Sequence, residues 1–464
     1  MFEGTAQVNE PVNLVGMHND LVRSGIESII VDAGLQPWQD AVRNFGPDIV
    51  GITAPVKKLA PEIAPFVSEL RDSGVKVIVG GVFATANPDF YASLYRPHAI
   101  VLGQGEPVMR DLIGRDFVFK KAKSGPFYLG NSGKTMLFRS DSLLDISEIN
   151  YSRPYFLQAY DFTGWPNTMY GCFHRCIFCT SDGKSSFMPP ERAISEISYL
   201  VRGLGAEIIF PMGGDFTGKP SQATEIVRGI ISSDDLTGPG YNLNVRIDSL
   251  SKAISLDPGA WRAFFESSNV LFMPGVESFD PAKLVRLGKY RSLSSAKKHL
   301  ERLTGILDFI NGTKAMVSGN FIMHDPETSA NEFFNDVTRI RKFIMKYPGH
   351  FTISDGEIFN HLMPVDGTRA SEMYNAEGDE YYYPRQMEPF AILLTLYFYL
   401  ARFPATHQFS ACASVDRQRA ITLEHLDLLT EGVGRIIRCV QDDVFDPRRA
   451  VEFVRELVGD QFPE

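Results

Sequence analysis

The sequence predicts an α/β protein in which parallel strands alternate with helices, followed by a helical C-terminal region. Short apolar runs bounded by turn residues alternate with helical patterns in the N-terminal part, and the same alternation returns between about residues 166 and 370. A chain of 464 residues is also too long for one small core and suggests two or three domains. Because loops after parallel strands gather at one edge of a sheet, ligand-binding residues are expected there.

Composition narrows the functional class. The chain is 44% hydrophobic and 22% charged, as is usual for a globular protein, and its net charge of -10 argues against a nucleic-acid partner. The longest mainly apolar run, Pro389–Ala401, is shorter than the about 20 residues of a membrane span, so a buried helix and no membrane contact are predicted. No signal-peptide pattern opens the chain. Free thiols favour a reducing, cytoplasmic location.

The N-terminal region predicts a parallel sheet with helices on both faces. Strands are expected at Ser28–Val31, Asp48–Thr53, Val75–Val79 and Ala99–Leu102, and helices at residues 12–24, Trp38–Asn44, Pro61–Ser73 and Pro88–Leu94. The charged, turn-prone run Lys120–Gly125 indicates a connector, and residues 121–165 are predicted to be a linker.

Three of the five cysteines lie in one short stretch with the spacing Cys-x3-Cys-x2-Cys: Cys172, Cys176 and Cys179. Disulfides within this stretch would pair two of the three cysteines and leave one unpaired. A structural zinc site takes four ligands, and no fourth Cys or suitable His is evident nearby. Three thiolates suit a [4Fe-4S] cluster that keeps one iron open. Cys412 is predicted to be a small buried hydrophobe rather than a hydrogen-atom donor.

With Phe178 directly before the last cysteine, this stretch resembles the signature of the radical S-adenosylmethionine (radical SAM) superfamily. The resemblance implies that the cluster binds SAM at its open iron and cleaves it to methionine and a 5'-deoxyadenosyl radical. It also implies a partial (β/α)6 barrel with the site at the carboxyl ends of its strands. An external electron donor of the flavodoxin or ferredoxin type is then expected.

The strands of this barrel are predicted at Asn167–Tyr170, Glu207–Pro211, Tyr241–Ile247, Val270–Met273, Met316–Met323 and Phe351–Ile358. The second strand ends in Gly213, Gly214 and Asp215, which resemble the Gly-Gly-Glu motif that holds the amino group of SAM; a plain tight turn is the alternative.

Three later strand ends carry further resemblances to the cobalamin-type branch of the superfamily. Arg246 stands where that branch has an Arg-x-Asp. An arginine can bind a carboxylate, such as that of SAM, with two parallel hydrogen bonds. Glu277 and Ser278 match a Gly-x-Glu-Ser segment and are expected near the ribose or amino-acid end of SAM, unless Glu277 caps the helix that follows. Met363 is expected to flank the adenine.

The substrate-facing candidates are His324, Asp325, Glu327 and Glu357, which could act as general acid or base. Eleven acidic against five basic residues between Met323 and Glu380 predict a mouth that attracts cations, such as a small amine-bearing metabolite. A solvated acidic face, and a surface role for His324, are the alternatives.

The N-terminal region resembles the cobalamin-binding domain of the same branch, on the loops at residues 47–54, 78–85 and 103–106. Two departures suggest a degenerate domain. Met1–Pro11 contains no apolar run for the usual first strand, and Phe83 replaces a frequent His. Bound cobalamin is therefore an open possibility but not the expectation.

The predicted domains are the cobalamin-binding-like domain at 1–120, the linker at 121–165, the barrel at 166–370 and a helical cap at 371–464. The preferred function is cobalamin-free dehydration or deoxygenation of an aminosugar, similar to the diol-dehydratase members of antibiotic biosynthesis. The alternatives are a cobalamin-dependent C-methyltransferase and a non-enzymatic iron–sulfur protein.

Overall fold

The computed structural model of the protein describes residues 11–35, 37–55, 57, 59–115, 128–132, 134–139, 150–155, 157–181, 183–323, 325, 327–328, 330–353, 362 and 368–373. The predicted helical cap falls almost entirely outside these residues. So do three of the predicted site residues, His324, Glu357 and Met363.

The N-terminal domain is a five-stranded sheet in the order β1-β2-β3-β5-β4, in which only β4 runs antiparallel to its neighbour. Its strands are β1 (Ile49–Thr53), β2 (Lys76–Gly80), β3 (Ala99–Leu102), β4 (Tyr128–Ser132) and β5 (Thr135–Arg139). Its helices are α1 (Val12–Arg23), α2 (Trp38–Phe45), α3 (Ala60–Asp72), α4 (Val82–Ala86), α5 (Pro88–Tyr95) and α6 (Gly105–Gly114).

The inner strands β2 and β3 are apolar on both faces because helices cover both sides. Val77, Val79 and Ile100 pack in one core, and Ile78 and Val101 pack in another on the opposite face. This alternation is the period-two pattern of a strand with two buried faces.

Two predictions for this region were wrong. Ser28–Val31 is not a strand: the segment runs as irregular chain, and Ile29 is left 45% exposed. The predicted linker contributes β4 and β5, which extend the sheet, because Met136, Leu137 and Phe138 supply an apolar run that pairs with β3.

The second domain is built on six parallel strands that neighbour one another in chain order, which is the arrangement of a partial (β/α)6 barrel. They are β6 (Thr163–Gly164), β9 (Ile208–Ile209), β10 (Gly240–Val245), β11 (Val270–Glu277), β12 (Met316–Ser318) and β14 (Phe351–Thr352). The short β13 (Asn320–Phe321) extends the pairing of β11, and β7 (Met169–Gly171) pairs antiparallel with β8 (Ser185–Phe187).

Helices connect these strands, so the predicted strand–helix repetition is confirmed. They are α7 (Pro190–Ser198), α8 (Pro220–Ile231), α9 (Asp234–Thr237), α10 (Ile247–Leu256), α11 (Pro258–Ser267), α12 (Pro281–Arg286), α13 (Leu293–Ile310), α14 (Ala330–Lys346) and α15 (Arg369–Met373). None of the helices among the described residues combines the length and the hydrophobicity that crossing a bilayer requires.

The first barrel strand lies earlier than the predicted Asn167–Tyr170. Thr163 and Gly164 pair with β9, and Asn167 makes only an isolated bridge to Met212. The chain then leaves the barrel sheet, because β7 finds its partner in β8 instead. The barrel therefore begins before residue 166, inside the predicted linker.

The two domains meet through α1 and the segment that enters the barrel. Asn19 on α1 donates its side-chain amide to the carbonyls of Asn150 and Ser152, at 2.7 and 2.8 Å. Val12 packs in the barrel core beside Tyr151 and Leu157. A helix of the N-terminal domain thus closes part of the barrel's apolar core.

Candidate active site

The three clustered cysteines lie on one loop, residues 172–184, which we call the cysteine loop. The β7–β8 ribbon closes its base, and Gly171 turns the chain there with φ +70°; a Cβ at this position would lie 2.3 Å from the carbonyl oxygen of Lys184. Cys172, Cys176 and Cys179 are all free thiols, and Cys179 is exposed. The loop comes after the first barrel strand in the chain, but it directly follows β7, which lies outside the barrel sheet, and not the predicted barrel strand Asn167–Tyr170.

The three cysteines supply thiol donors, and their joint binding of a metal centre remains a prediction. Among the residues that the structure describes, no three side chains of His, Cys, Asp or Glu stand close enough together to hold a metal ion. In a [4Fe-4S] cluster each cysteine binds a different iron, so its thiolates stand further apart than the ligands of one ion. Three free thiols on one loop, with cations beside them, are the donor set that such a cluster requires.

Electrostatics at the cysteine loop also suit an anionic cluster. Burial raises the pKa of Cys172 and Cys176, whereas Lys289 and Arg246 act to lower the pKa of Cys176. A bound cluster would be held by these residues as thiolates, and Lys289 and Arg246 would offset part of the added negative charge.

Ile177 fixes the middle of the cysteine loop to two other parts of the barrel domain. Its N–H donates to the carbonyl of Leu287 at 3.1 Å, and its carbonyl accepts from the N–H of Ala370 at 2.8 Å. Its side chain is buried with Leu287 and Leu362, and Phe178 packs against this group. Phe178 is therefore placed at the apolar side of the loop.

Gly213 and Gly214 bring the loop after β9 against the cysteine loop. A Cβ on Gly213, which has φ +129°, would lie 2.1 Å from Cγ of Met169. A Cβ on Gly214 would lie 3.2 Å from Cβ of Cys172. Close contacts with Met169 and Cys172 thus leave no room for a side chain at either position, and this requirement for glycine does not depend on a ligand.

Asp215 is fully buried, and protein groups already surround its carboxylate. Oδ1 accepts from the N–H groups of Thr217 and Arg246 at 3.2 and 3.1 Å, and the hydroxyls of Thr217 and Ser249 donate to it at 2.9 Å. The described contacts thus show a carboxylate that ties β9 to the start of α10. Binding of the SAM amino group by this carboxylate remains a prediction.

Arg246 points its side chain at the cysteine loop. Nη1 lies 3.9 Å from Sγ of Cys176, Nε donates to Asp248 at 3.1 Å, and Nη2 donates to the carbonyl of Lys289 at 3.0 Å. Burial tends to raise the pKa of Asp248, but Arg246 and the residue's own N–H outweigh burial and lower it. The pair lies beside Cys176, with Arg246 buried and Asp248 partly exposed.

Glu277 lies at the carboxyl end of β11 with left-handed backbone, φ +62°, which is unusual for a residue with a side chain. Its Oε1 accepts from Nζ of Lys289 at 3.0 Å. Asp280, not Glu277, caps α12, because its carboxylate accepts from the N–H groups of Ala282 and Lys283. The capping alternative for Glu277 is thus wrong. Its strained position lies beside Lys289, one of the two cations that act on Cys176.

Ser278 is turned to a different partner. Its hydroxyl is fully buried and donates to Oδ2 of Asp336 on α14 at 2.6 Å. Lys283 is also fully buried; its Nζ donates to the carbonyl of Met323 and lies 3.9 Å from the same carboxylate. Ser278 therefore belongs to a buried polar group between β11 and α14.

Of the predicted substrate-facing acids, two are described. Asp325 is fully buried, and its Oδ2 pairs with Arg286 at 3.0 Å. Its Oδ1 accepts from the N–H of Glu327 at 2.9 Å, and the side chain of Glu327 is exposed. These contacts lend no support to Asp325 as part of an open, cation-attracting mouth.

His174 is a site residue that the sequence did not single out. It lies between two of the cysteines, and its Nε2 is buried with no hydrogen-bond partner among the residues that the structure describes. That nitrogen is 3.5 Å from Oδ2 of Asp215. Its ring contacts that of Phe173, with 4.2 Å between centroids. Its place in the cysteine spacing was the only sequence signal available.

No protein-family model matches the sequence, and no curated protein matches it. Solved structures do match. One is OxsB, a cobalamin-dependent S-adenosylmethionine radical enzyme with aqua-cobalamin and S-adenosylmethionine bound: TM-score 0.74, 13% identity, covering 97% of this chain and 72% of OxsB. Another is the radical S-adenosylmethionine methyltransferase TsrM from Kitasatospora setae with tryptophan and aza-SAM bound: TM-score 0.60, 13% identity, covering 72% of this chain and 68% of TsrM.

Identity this low makes the similarity one of fold. It confirms the predicted fold class, because the match to OxsB runs through both domains. The chain has the fold of the cobalamin-dependent radical SAM enzymes.

Proposed function

We propose that this protein is a radical SAM enzyme that holds a [4Fe-4S] cluster on Cys172, Cys176 and Cys179. The observation that carries the proposal is the placement of three free thiols on one loop after the first barrel strand, with two buried cations beside Cys176. When bound, the cluster would pass one electron to the sulfonium of SAM, giving methionine and a 5'-deoxyadenosyl radical. A carrier of the flavodoxin or ferredoxin type would supply that electron.

The chain's own residues would position the cofactor and its ligand. Ile177 holds the cysteine loop against the barrel through two backbone hydrogen bonds. Phe178 is only partly buried and packs against the buried group of Leu287 and Leu362, so its ring could face an adenine ring. Gly213 and Gly214 keep the adjacent loop close enough to contact the same ligand.

Anaerobic reconstitution tests the proposal. The protein should bind about four irons with matching sulfide, and with dithionite and SAM it should release 5'-deoxyadenosine, measured by liquid chromatography and mass spectrometry. Single Cys172→Ala, Cys176→Ala and Cys179→Ala variants should lose this product. Cys412→Ala serves as the matched control and should keep it. A triple loop variant that still bound the full iron content would refute the ligand assignment.

The N-terminal domain supports a second cofactor. Its loops after β2 and β3 meet at one edge: the Thr85 hydroxyl donates to the carbonyl of Gly81 and accepts from the N–H of Gly103, both at 2.9 Å. The loop after β1 lies beside them, because the N–H of Ala54 donates to the carbonyl of Gly80 at 2.8 Å. Val82 and Leu59 are exposed near this edge and could face an apolar ring system. Cobalamin bound there would favour methyl transfer to a substrate radical, and OxsB and TsrM are both described with cobalamin bound.

The second candidate is cobalamin-free dehydration or deoxygenation of a small polar metabolite. The observation that favours it is the position of β1 at the end of the sheet: within the described part of the chain no strand pairs with its outer side, and Gly51 is exposed. A cobalamin-binding sheet normally continues past this strand. The buried pairing of Asp325 with Arg286 leaves the charge of the substrate open.

The ultraviolet–visible spectrum separates these two reactions. Protein produced with cobalamin available, and measured after subtraction of the cluster's absorbance, should show stoichiometric corrinoid if methyl transfer is correct. Absence of corrinoid after attempted reconstitution would refute methyl transfer and leave the dehydratase. A chain that bound a cluster yet gave no 5'-deoxyadenosine with any substrate would refute both.

A further inference from the structure

We propose that Arg246 sets the reduction potential of the cluster by directing its guanidinium at the sulfur of Cys176, instead of gripping the carboxylate of SAM. The inference rests on the proposed function, because it requires Cys176 to be a cluster ligand. In this role Arg246 changes the reduction potential through its contact with the sulfur of Cys176 and does not bind SAM.

The side chain of Arg246 is held before any cofactor binds. Its Nε donates to the carboxylate of Asp248 at 3.1 Å, and its Nη2 donates to the carbonyl of Lys289 at 3.0 Å. Its Cζ lies 5.6 Å from the centroid of the Tyr290 ring. The residue is 6% exposed. With these contacts in place, Nη1 faces Sγ of Cys176 at 3.9 Å.

The same contacts argue against a SAM clamp. An arginine grips a carboxylate with two parallel N–H groups, commonly those of Nε and Nη2. Here that edge of the guanidinium already binds Asp248 and the carbonyl of Lys289. Only Nη1 is directed toward the cofactor side, where one N–H can meet one sulfur.

Charge at this position favours the reduced cluster. Reduction adds one negative charge, and hydrogen bonds and positive charge near a ligand sulfur stabilise that charge and raise the potential. Screening by salt is weak because Arg246 is buried. Lys289 adds a second cation near Cys176, although Glu277 balances it at 3.0 Å.

The test is a redox titration of reconstituted protein without SAM, followed by the electron paramagnetic resonance signal of the reduced cluster. In Arg246→Gln the potential should fall, so that the ratio of reduced to oxidised cluster at a fixed potential drops about tenfold, or about 59 mV for one electron. Arg246→Lys keeps the charge and should shift less. Asp248→Asn removes the acid that balances Arg246 and should shift the potential upward.

Arg175→Gln is the matched control, because Arg175 lies on the cysteine loop directly before Cys176 but is exposed. Its shift should be well below that of Arg246→Gln. An unchanged or raised potential in Arg246→Gln, or an equal fall in Arg175→Gln, would overturn the inference.

Iron and sulfide contents distinguish this inference from the proposed function. If the unaltered protein takes up no cluster, the proposed function itself fails. If only Arg246→Gln takes up no cluster, Asp248→Asn decides: a raised potential supports the tuning role, and an unchanged or lowered one rejects it.

Discussion

Oδ1 of Asp215 lies 3.1 Å from the backbone nitrogen of Arg246, so a fully buried carboxylate after β9 holds the start of α10. The same oxygen accepts two hydroxyl groups, from Thr217 and Ser249. Asp215 thus fixes the backbone of Arg246, and the side chain of Arg246 faces Cys176. Through Arg246, the Gly-Gly-Asp segment is connected to the cysteine loop.

Asp215→Asn should therefore destabilise the barrel domain even without cofactor. The amide can accept through one oxygen only, so a buried donor is left unmatched, at a cost of about 2 kcal/mol. A lowered thermal midpoint of the apo protein would show this. Asp235→Asn, an exposed acid that pairs with Arg202, is the control and should change little. A normal midpoint for Asp215→Asn would contradict the structural role.

Lys283 and Asp336 should behave as a coupled buried pair. Both side chains are fully buried, and Nζ of Lys283 lies 3.9 Å from Oδ2 of Asp336. Lys283→Met leaves the carboxylate without its cation and should cost about 3–5 kcal/mol. Asp336→Asn should be costly too, but the double variant should lose less than the sum.

Denaturant unfolding of the four proteins measures this coupling. Strict additivity of the two losses would show that the lysine and the carboxylate do not interact. Lys283 would then be held by the carbonyl of Met323, and Asp336 by Ser278 and the N–H of Phe279.

The order of the barrel strands and the cysteine loop could be predicted from sequence because they depend on local patterns. Apolar runs mark β10 and β11, and spacing alone marks Cys172 to Cys179. What could not be predicted depends on partners distant in the chain. The apolar run of β5 gave no sign of pairing with β3, and Ser278 gave no sign of its contact with Asp336.

Site residues show the same limit. The family pattern assigns Asp215 and Arg246 to SAM, whereas the contacts of both residues are largely with the protein itself. A strand-end position fixes where a side chain starts, but its neighbours decide which way it turns.

Gly213→Ala should disturb the cysteine loop. The new Cβ would lie 2.1 Å from Cγ of Met169, on a backbone with φ +129°. Gly205→Ala is a matched control, because Gly205 also has positive φ, +70°, but no atom of the described part of the chain lies within 4 Å of its Cβ position. The control should cost about 1 kcal/mol from backbone strain alone.

The reconstituted Gly213→Ala protein should hold clearly less iron than Gly205→Ala. Adding Met169→Ala to Gly213→Ala should restore part of the loss, because it removes the atoms that clash. Equal iron contents in the two glycine variants would mean that the contact with Met169 does not position the loop.

His299 should make the barrel domain sensitive to acid. Burial lowers its pKa from 6.5 to about 3, with Nδ1 2.8 Å from the Tyr290 hydroxyl. Between these values the unfolded chain binds a proton that the folded chain does not, so stability is complete above pH 6.5 and falls as the pH drops below it. The loss is about 1.36 kcal/mol per pH unit, or about 2 kcal/mol at pH 5.

The decline in thermal midpoint between pH 8 and pH 5 should shrink in His299→Gln and persist in His18→Gln, whose histidine is only partly buried. An undiminished decline in His299→Gln would assign the acid sensitivity to other groups.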